Sequence, residues 1–330
     1  MRILIETARG FEKSPFYDIV YEWEDVLTEK LGDARLSYRS KFENDLLRAT
    51  QKIGFLNIAP CHPTGSSDVR IRFDMLPRQN NDFRNHYNTV PWLIDFFLDE
   101  RDYDRFYRAY KGYPLVLVSS MEVYDLLKKS GCPLNIRHLA LSLPDNYRFD
   151  PKVFEEKRYD IVLAGRPNPA LASFLEQYLK KHPETTVISR KIRGNNFDYL
   201  DLKGNIVSRS DAPSRQEYFR ILKMAKVAFY GTPGRNAKEK AGKFNQVTPR
   251  FLEMLSAGCI PILQYTDNPD TRYYELGSWC PSIESYDQFE TEMNRALSAT
   301  PDSEKFTAYL RKHYTSVRAN ELSNIIKELK

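Results

Sequence analysis

Arg250 and Glu253 stand three residues apart in the segment Asn245-Gln246-Val247-Thr248-Pro249-Arg250-Phe251-Leu252-Glu253-Met254-Leu255-Ser256-Ala257-Gly258-Cys259-Ile260-Pro261-Ile262-Leu263. Thr248 suits an N-cap and Pro249 a first helical position, so a helix is expected over 249–257, ended by Gly258. The free amides and dipole at such a helix start favour a pyrophosphate. Arg250 can bridge phosphates, and Glu253, one turn further in, can accept hydrogen bonds from ribose hydroxyls. The bland alternative is a surface ion pair between the two. Upstream, Gly165 and Arg166 follow the run Asp160-Ile161-Val162-Leu163-Ala164. A basic loop over 234–244 brings Arg235, Lys240 and Lys243 to the start of the same helix; by default such a loop is simply solvated.

Several other chemistries are excluded by spacing. Gly242-Lys243 is followed by Phe244, and Ala237 stands where a P-loop needs its first glycine. No GxGxxG follows the first strand and no GxSxG is present, which argues against a dinucleotide fingerprint and an α/β-hydrolase. The four cysteines (61, 132, 259, 280) form no CxxC, and the five histidines make no ligand pair. They read as reduced thiols with no metal site, Cys61-His62 being the nearest approach to one. The chain has 49 basic and 44 acidic residues, a net +5. Residues 1–150 carry 21 and 22 of them, so the small excess of +6 lies in 151–330. That is too dilute for a nucleic-acid stripe, and no apolar stretch approaches the ~18–20 residues of a membrane span. Ile3-Leu4-Ile5, broken by Glu6, is strand-sized rather than a signal peptide.

The elements that would position these residues alternate. Apolar runs at 2–7, 90–97, 115–118 and 136–143, and the alternating segment 69–73, predict strands. Helical spacing recurs over 17–31, 42–53 and 122–129, and the tyrosine–arginine run 102–113 reads as a plain helix. Pro144, Asp145 and Pro151 mark a linker at 144–157. Beyond it, strands are expected at 159–164, 185–189, 227–230 and 260–263, with helices at 170–181, 214–225, 303–314 and 316–329. A polar, glycine-containing insertion occupies 193–212. Strands alternating with helices imply βα units on parallel sheets, hence two Rossmann-like α/β lobes with ligands at the carboxyl ends of the strands.

Arg250-Phe-Leu-Glu253-Met-Leu-Ser-Ala-Gly258-Cys-Ile-Pro261-Ile resembles the donor-binding helix of GT-B glycosyltransferases, most closely the exostosin-like and CgeB-like groups, with the group-1 enzymes behind them. Asp160-Ile-Val-Leu-Ala-Gly165-Arg166 is similar to the first strand of the family's donor domain. Leu117-Val-Ser-Ser120 and Leu139-Ala-Leu-Ser-Leu-Pro144 are similar to the end of its acceptor domain. The resemblance implies a GT-B fold: two Rossmann-like parallel-sheet lobes facing a central cleft. Residues 1–150 would bind the acceptor, 151–305 the donor, and the helices of 306–330 would return to the N-terminal lobe.

It implies sugar transfer from a nucleotide-sugar donor to a glycan acceptor in surface polysaccharide synthesis (capsule or lipopolysaccharide). No metal or other cofactor and no nucleic-acid partner would be involved. The expected location is cytoplasmic, with peripheral association at the inner face of the membrane. Gly165, Arg166, Arg235, Lys243, Thr248, Arg250 and Glu253 would hold the donor. An inverting reaction also needs a base on the N-terminal lobe. Asp95 is the first choice, followed by Glu100 and Asp74, with Glu6, His62 and His86 behind. One departure stands out: where retaining group-1 enzymes carry a second glutamate, eight positions before Glu253, this chain has Asn245. That leaves the stereochemistry open and motivates a rival reading, an inactive GT-B domain binding nucleotide or glycan as a regulatory or assembly subunit.

Overall fold

The computed structural model describes residues 2–53, 68–78, 87–98, 100–165, 168–193, 196–210, 215–235 and 244–329. The chain begins with β1 (Ile3–Thr7), α1 (Asp18–Lys30), β2 (Ala34–Tyr38), α2 (Lys41–Ile53), β3 (Val69–Asp74) and β4 (Thr89–Leu93). There follow α3 (Tyr103–Tyr110), β5 (Val116–Val118), α4 (Met121–Lys129), β6 (Ile136–His138), β7 (Tyr159–Leu163) and α5 (Pro169–Lys181). Next come β8 (Val187–Arg193), β9 (Asn196–Asp201), β10 (Ile206–Ser210), α6 (Arg215–Lys223) and β11 (Ala225–Gly231). The chain closes with α7 (Arg250–Ser256), β12 (Ile260–Gln264), α8 (Pro269–Tyr273), α9 (Tyr286–Ser298), α10 (Ser303–Leu310) and α11 (Thr315–Glu328). Two compact units result. The first is Met1–Asp145 with Ala241–Gln246 and Thr315–Lys330; the second is Asn146–Lys240 with Val247–Tyr314.

The first unit is built on an all-parallel sheet in the order β2-β1-β3-β4-β5-β6. Its inner strands β4 and β5 are buried at every position because both faces of the sheet are covered. The period of two sorts them: Leu115 and Leu117 pack with Trp23, Leu27, Trp92, Leu322 and Ile326, while Val116 and Val118 pack with Phe96, Phe106, Val123 and Leu127. The two buried indoles stack, with ring centroids 6.5 Å apart. Each also satisfies its N–H on a backbone carbonyl, Trp23 on Ser142 and Trp92 on Leu139, both at 3.0 Å. Phe244 of the returning segment joins the second cluster edge-on to Phe96. The apolar runs 90–97 and 136–143 outlast their strands, since Ile94, Phe96 and Leu139 to Leu143 stay buried beyond the ladder.

The second unit's sheet runs β10-β9-β8-β7-β11-β12, parallel from β8 to β12 and antiparallel at β9 and β10. The polar insertion expected over 193–212 therefore contains two further strands, β9 and β10. Their hairpin is closed by Asp201, whose carboxylate accepts the amides of Lys203 and Asn205 at 2.9 and 2.8 Å, and by Gly204 at φ +82°. The two-unit, doubly wound α/β class expected from sequence is the one the chain adopts. No helix of the described residues is long and apolar enough to cross a membrane.

Candidate functional site

In each sheet the chain leaves a first strand in one direction and later returns past it, which creates a topological switch point, the place where doubly wound sheets take ligands. In the second unit it lies between β7 and β11. Gly165 follows β7 and Gly231 ends β11. Both positions are glycine for a steric reason. A methyl at Gly165 would overlap the guanidinium of Arg250, and one at Gly231 would meet Asn168 Nδ2. Asn168 is set in place by its own helix, its Oδ1 accepting the Ala170 and Leu171 amides at 3.0 and 3.1 Å as N-cap of α5.

Arg250 opens α7, and the structure corrects the expected start of that helix. Pro249, already in right-handed helical conformation, occupies the cap position with no side-chain cap bond. Thr248 does not cap; its N–H donates to the Tyr230 hydroxyl at 2.8 Å, so its backbone is tied to the end of β11 instead. Only seven residues long, α7 offers little dipole at its start, and the weight of any phosphate binding passes to the Arg250 side chain. The far end matches expectation. Gly258 (φ +69°) closes the helix, with Cys259 N–H reaching back to Met254 O at 2.9 Å. A side chain there would also strike Val153 and Phe154.

Glu253 is 2% exposed, and its ion pair is with Arg215 at 2.8 Å rather than with Arg250. Arg215 opens α6 and lies over the rings of Tyr147 and Phe219, which stack at 3.7 Å. Tyr218 belongs to the same neighbourhood. Burial pushes its hydroxyl well above the usual phenol range, Glu253 adds to the rise, and Arg250 and Arg215 oppose it. Arg250 Nε is buried without a hydrogen-bond partner. The resulting arrangement is a glycine-built approach to backbone with an arginine laid across it, and a carboxylate one turn away already held by a second arginine. It suits an anion at Gly165 and Arg250.

The remaining expected residues fall elsewhere. Arg235 pairs with Glu284. Arg166, Lys240, Lys243, Cys61, His62 and His86 lie outside the described residues. Asp95 is half-buried in the stretch after β4, its N–H donating to Met75 O at 3.0 Å. Glu100 is exposed in the short turn Glu100–Asp102. Asp74 ends β3 and accepts from Arg72 (2.9 and 3.0 Å), Arg78 (3.0 Å) and Tyr110 (2.8 Å). Burial disfavours its charge, but Arg72 and Arg78 outweigh that and hold its carboxyl below the usual range. Four donors on a buried carboxylate make an anchor rather than a base.

Sequence reasoning missed Arg215, Asn168, Tyr218 and Gly231. Asn168-Pro169 is a plain N-cap signature and was legible; Arg215 carries no local signal. Among the described residues no group of three or more His, Cys, Asp or Glu could hold a metal ion. No family model and no curated protein matches the chain. Among solved structures it is similar to one described as the glycotransferase of kitacinnamycin (9% identity, TM-score 0.46, covering 99% of this chain and 98% of that one). It is also similar to AviGT4, a glycosyltransferase involved in avilamycin A biosynthesis (11% identity, TM-score 0.49, covering 100% and 98%).

Proposed function

We propose that this chain is a GT-B glycosyltransferase of the exostosin-like or CgeB-like kind, moving a sugar from a nucleotide-sugar to a glycan acceptor of a surface polysaccharide. The observation that carries the reading is Arg250 against Gly165 at the β7/β11 switch point, inside the motif Arg250 to Ile262. A diphosphate at Gly165 would meet the guanidinium that lies against that glycine, a group suited to bidentate phosphate contact. Glu253, set by Arg215, is the ribose partner. In the transfer, the bond from the sugar's anomeric carbon to the diphosphate oxygen breaks and a bond to the acceptor hydroxyl oxygen forms. The diphosphate leaves with the electron pair, its charge met by Arg250. In an inverting reaction the hydroxyl proton passes to a carboxylate of the first unit, for which Asp95 is the choice. No metal or cofactor has a part in this reading.

The test is a thermal-shift panel of UDP, GDP, CDP, CMP, dTDP and ADP, run with and without EDTA, on wild type and Glu253→Ala. One nucleotide should stabilise the wild type in both conditions, by roughly 2.7 kcal/mol at a hundredfold over its dissociation constant. The variant should fold but respond less. Silence across the panel would sink the donor site. Binding without turnover of any sugar donor would favour the regulatory reading that Asn245 motivates; that residue is buried, with its N–H on Glu122 at 2.8 Å.

A further inference from the structure

The first unit has its own switch point, between β1 and β3, and it is lined by charge. Arg72 and Asp74 end β3, Arg78 follows it, Glu6 lies at the end of β1, and Arg39 comes directly after β2. Arg72 is 3% exposed. Its Nε and Nη2 are spent on Asp74, and Nη2 also donates to Tyr113 OH at 3.0 Å. Its Nη1 is buried and has no hydrogen-bond partner. Arg39 Nε is likewise buried without a hydrogen bond, its nearest carboxylate being Glu6 at 3.5 Å. Burial raises the nearby Tyr17 hydroxyl above its usual range, with Glu12 and Asp74 adding to the rise and Arg39 and Arg78 opposing it.

A purely structural knot would use its buried donors. Here Arg72 Nη1 and Arg39 Nε go unused beside the enclosed carboxylates of Asp74 and Glu6. Of the further acids nearby, Glu43 is exposed with its carboxylate on the Ser40 amide, and Glu12 stands on the loop beyond β1. Asp74 already has four donors and has little capacity for the Arg72 Nη1 proton. Folded proteins leave few such donors without acceptors, and those they leave call for a partner. We propose that the β1/β3 switch point is an anion-binding subsite in which Arg72, Arg78 and Arg39 receive the carboxylate or phosphate of an acidic acceptor. The word acceptor rests on the sugar-transfer reading; the anion site does not.

Titration calorimetry of the full chain with methyl β-D-glucuronide, glucose 6-phosphate and methyl β-D-glucoside tests this at low salt. Either anion should bind at least tenfold more tightly than the neutral glucoside, and whichever is stronger identifies carboxylate or phosphate as the group. Arg39→Gln and Arg78→Gln should each weaken that binding about tenfold. Arg72→Lys should weaken it too, if circular dichroism shows it folded. Arg250→Gln, in the second unit, should leave it unchanged. Equal affinity for the neutral glycoside, wild-type affinity in both Arg39→Gln and Arg78→Gln, or loss in Arg250→Gln alone would overturn the proposal. Anion binding with a silent nucleotide panel would sink the donor reading and leave this subsite standing; the converse would do the opposite.

Discussion

The β1/β3 and β7/β11 switch points are the same topological feature built in opposite ways. The first is filled: Arg72, Asp74, Arg78, Tyr110 and Tyr113 hold one another, and Thr7, Glu24 and Arg9 form a second buried network beside them. The second is cleared: Gly165 and Gly231 remove side chains so that Arg250 and Asn168 can lie against backbone. The first ties the Arg72–Asp74 pair to stability while leaving Arg72 Nη1 and Arg39 Nε unused; the second covers its glycines with the ends of two polar side chains. Breaking the buried Arg72–Asp74 pair should therefore destabilise the fold, whereas substitutions in the second crevice should spare the fold and change binding.

The largest effect belongs to the filled crevice. Arg72→Ala removes the main partner of a buried carboxylate and should cost about 3–5 kcal/mol of unfolding free energy in urea. A loss below about 1 kcal/mol would mean that water already screens Asp74. Next is Glu24, which burial raises from 4.5 to about 7, against the hydrogen bond from Thr7 and the charge of Arg9. The folded state then keeps a proton that the unfolded chain releases, so this group's contribution makes stability fall as pH rises from about 4.5 to about 7. The whole effect is roughly 3 kcal/mol, and Glu24→Gln should flatten that part of the stability profile. A profile identical in wild type and variant would remove Glu24 from the account.

In the cleared crevice, Gly165→Ala displaces only the far end of a flexible side chain. Its melting temperature should stay near wild type while nucleotide affinity falls about tenfold, or 1.4 kcal/mol. Unfolding without a binding defect in the folded fraction would make Gly165 structural. The smallest effect is Asn168→Ala, about 1 kcal/mol for two lost cap bonds. In that background Gly231→Ala should cost less than it does in wild type, because the amide it strikes is gone; a strictly additive double mutant would break the pairing.

Legibility divided along similar lines. The expected strands and helices formed where apolar residues recur at one period, as in the continuous run Val90–Ile94 and the helical spacing of Trp23 and Leu27. Strand β2 was missed because it is an edge strand with only Ala34 fully buried, so no alternation marks it. Strands β9 and β10 fall in a stretch that reads only as a polar, glycine-containing insertion, since their composition hid the pairing although Asp201 to Asn205 carries turn chemistry. Thr248 was given the cap its type prefers, and the Tyr230 hydroxyl took its amide instead.

By itself the sequence determined the alternation of strands and helices, the doubly wound class, and the motif in which Arg250 and Glu253 share one helix that Gly258 ends. Those properties are written at separations of two to four residues, which apolar periodicity and turn chemistry report directly. Only the tertiary structure decided that Glu253 is held by Arg215, that Arg250 lies on Gly165, and that Asp74 is saturated by four donors. Those pairings depend on which strand ends and helix starts the sheets bring together, and no local pattern in the chain encodes a partner 38 or 85 positions away.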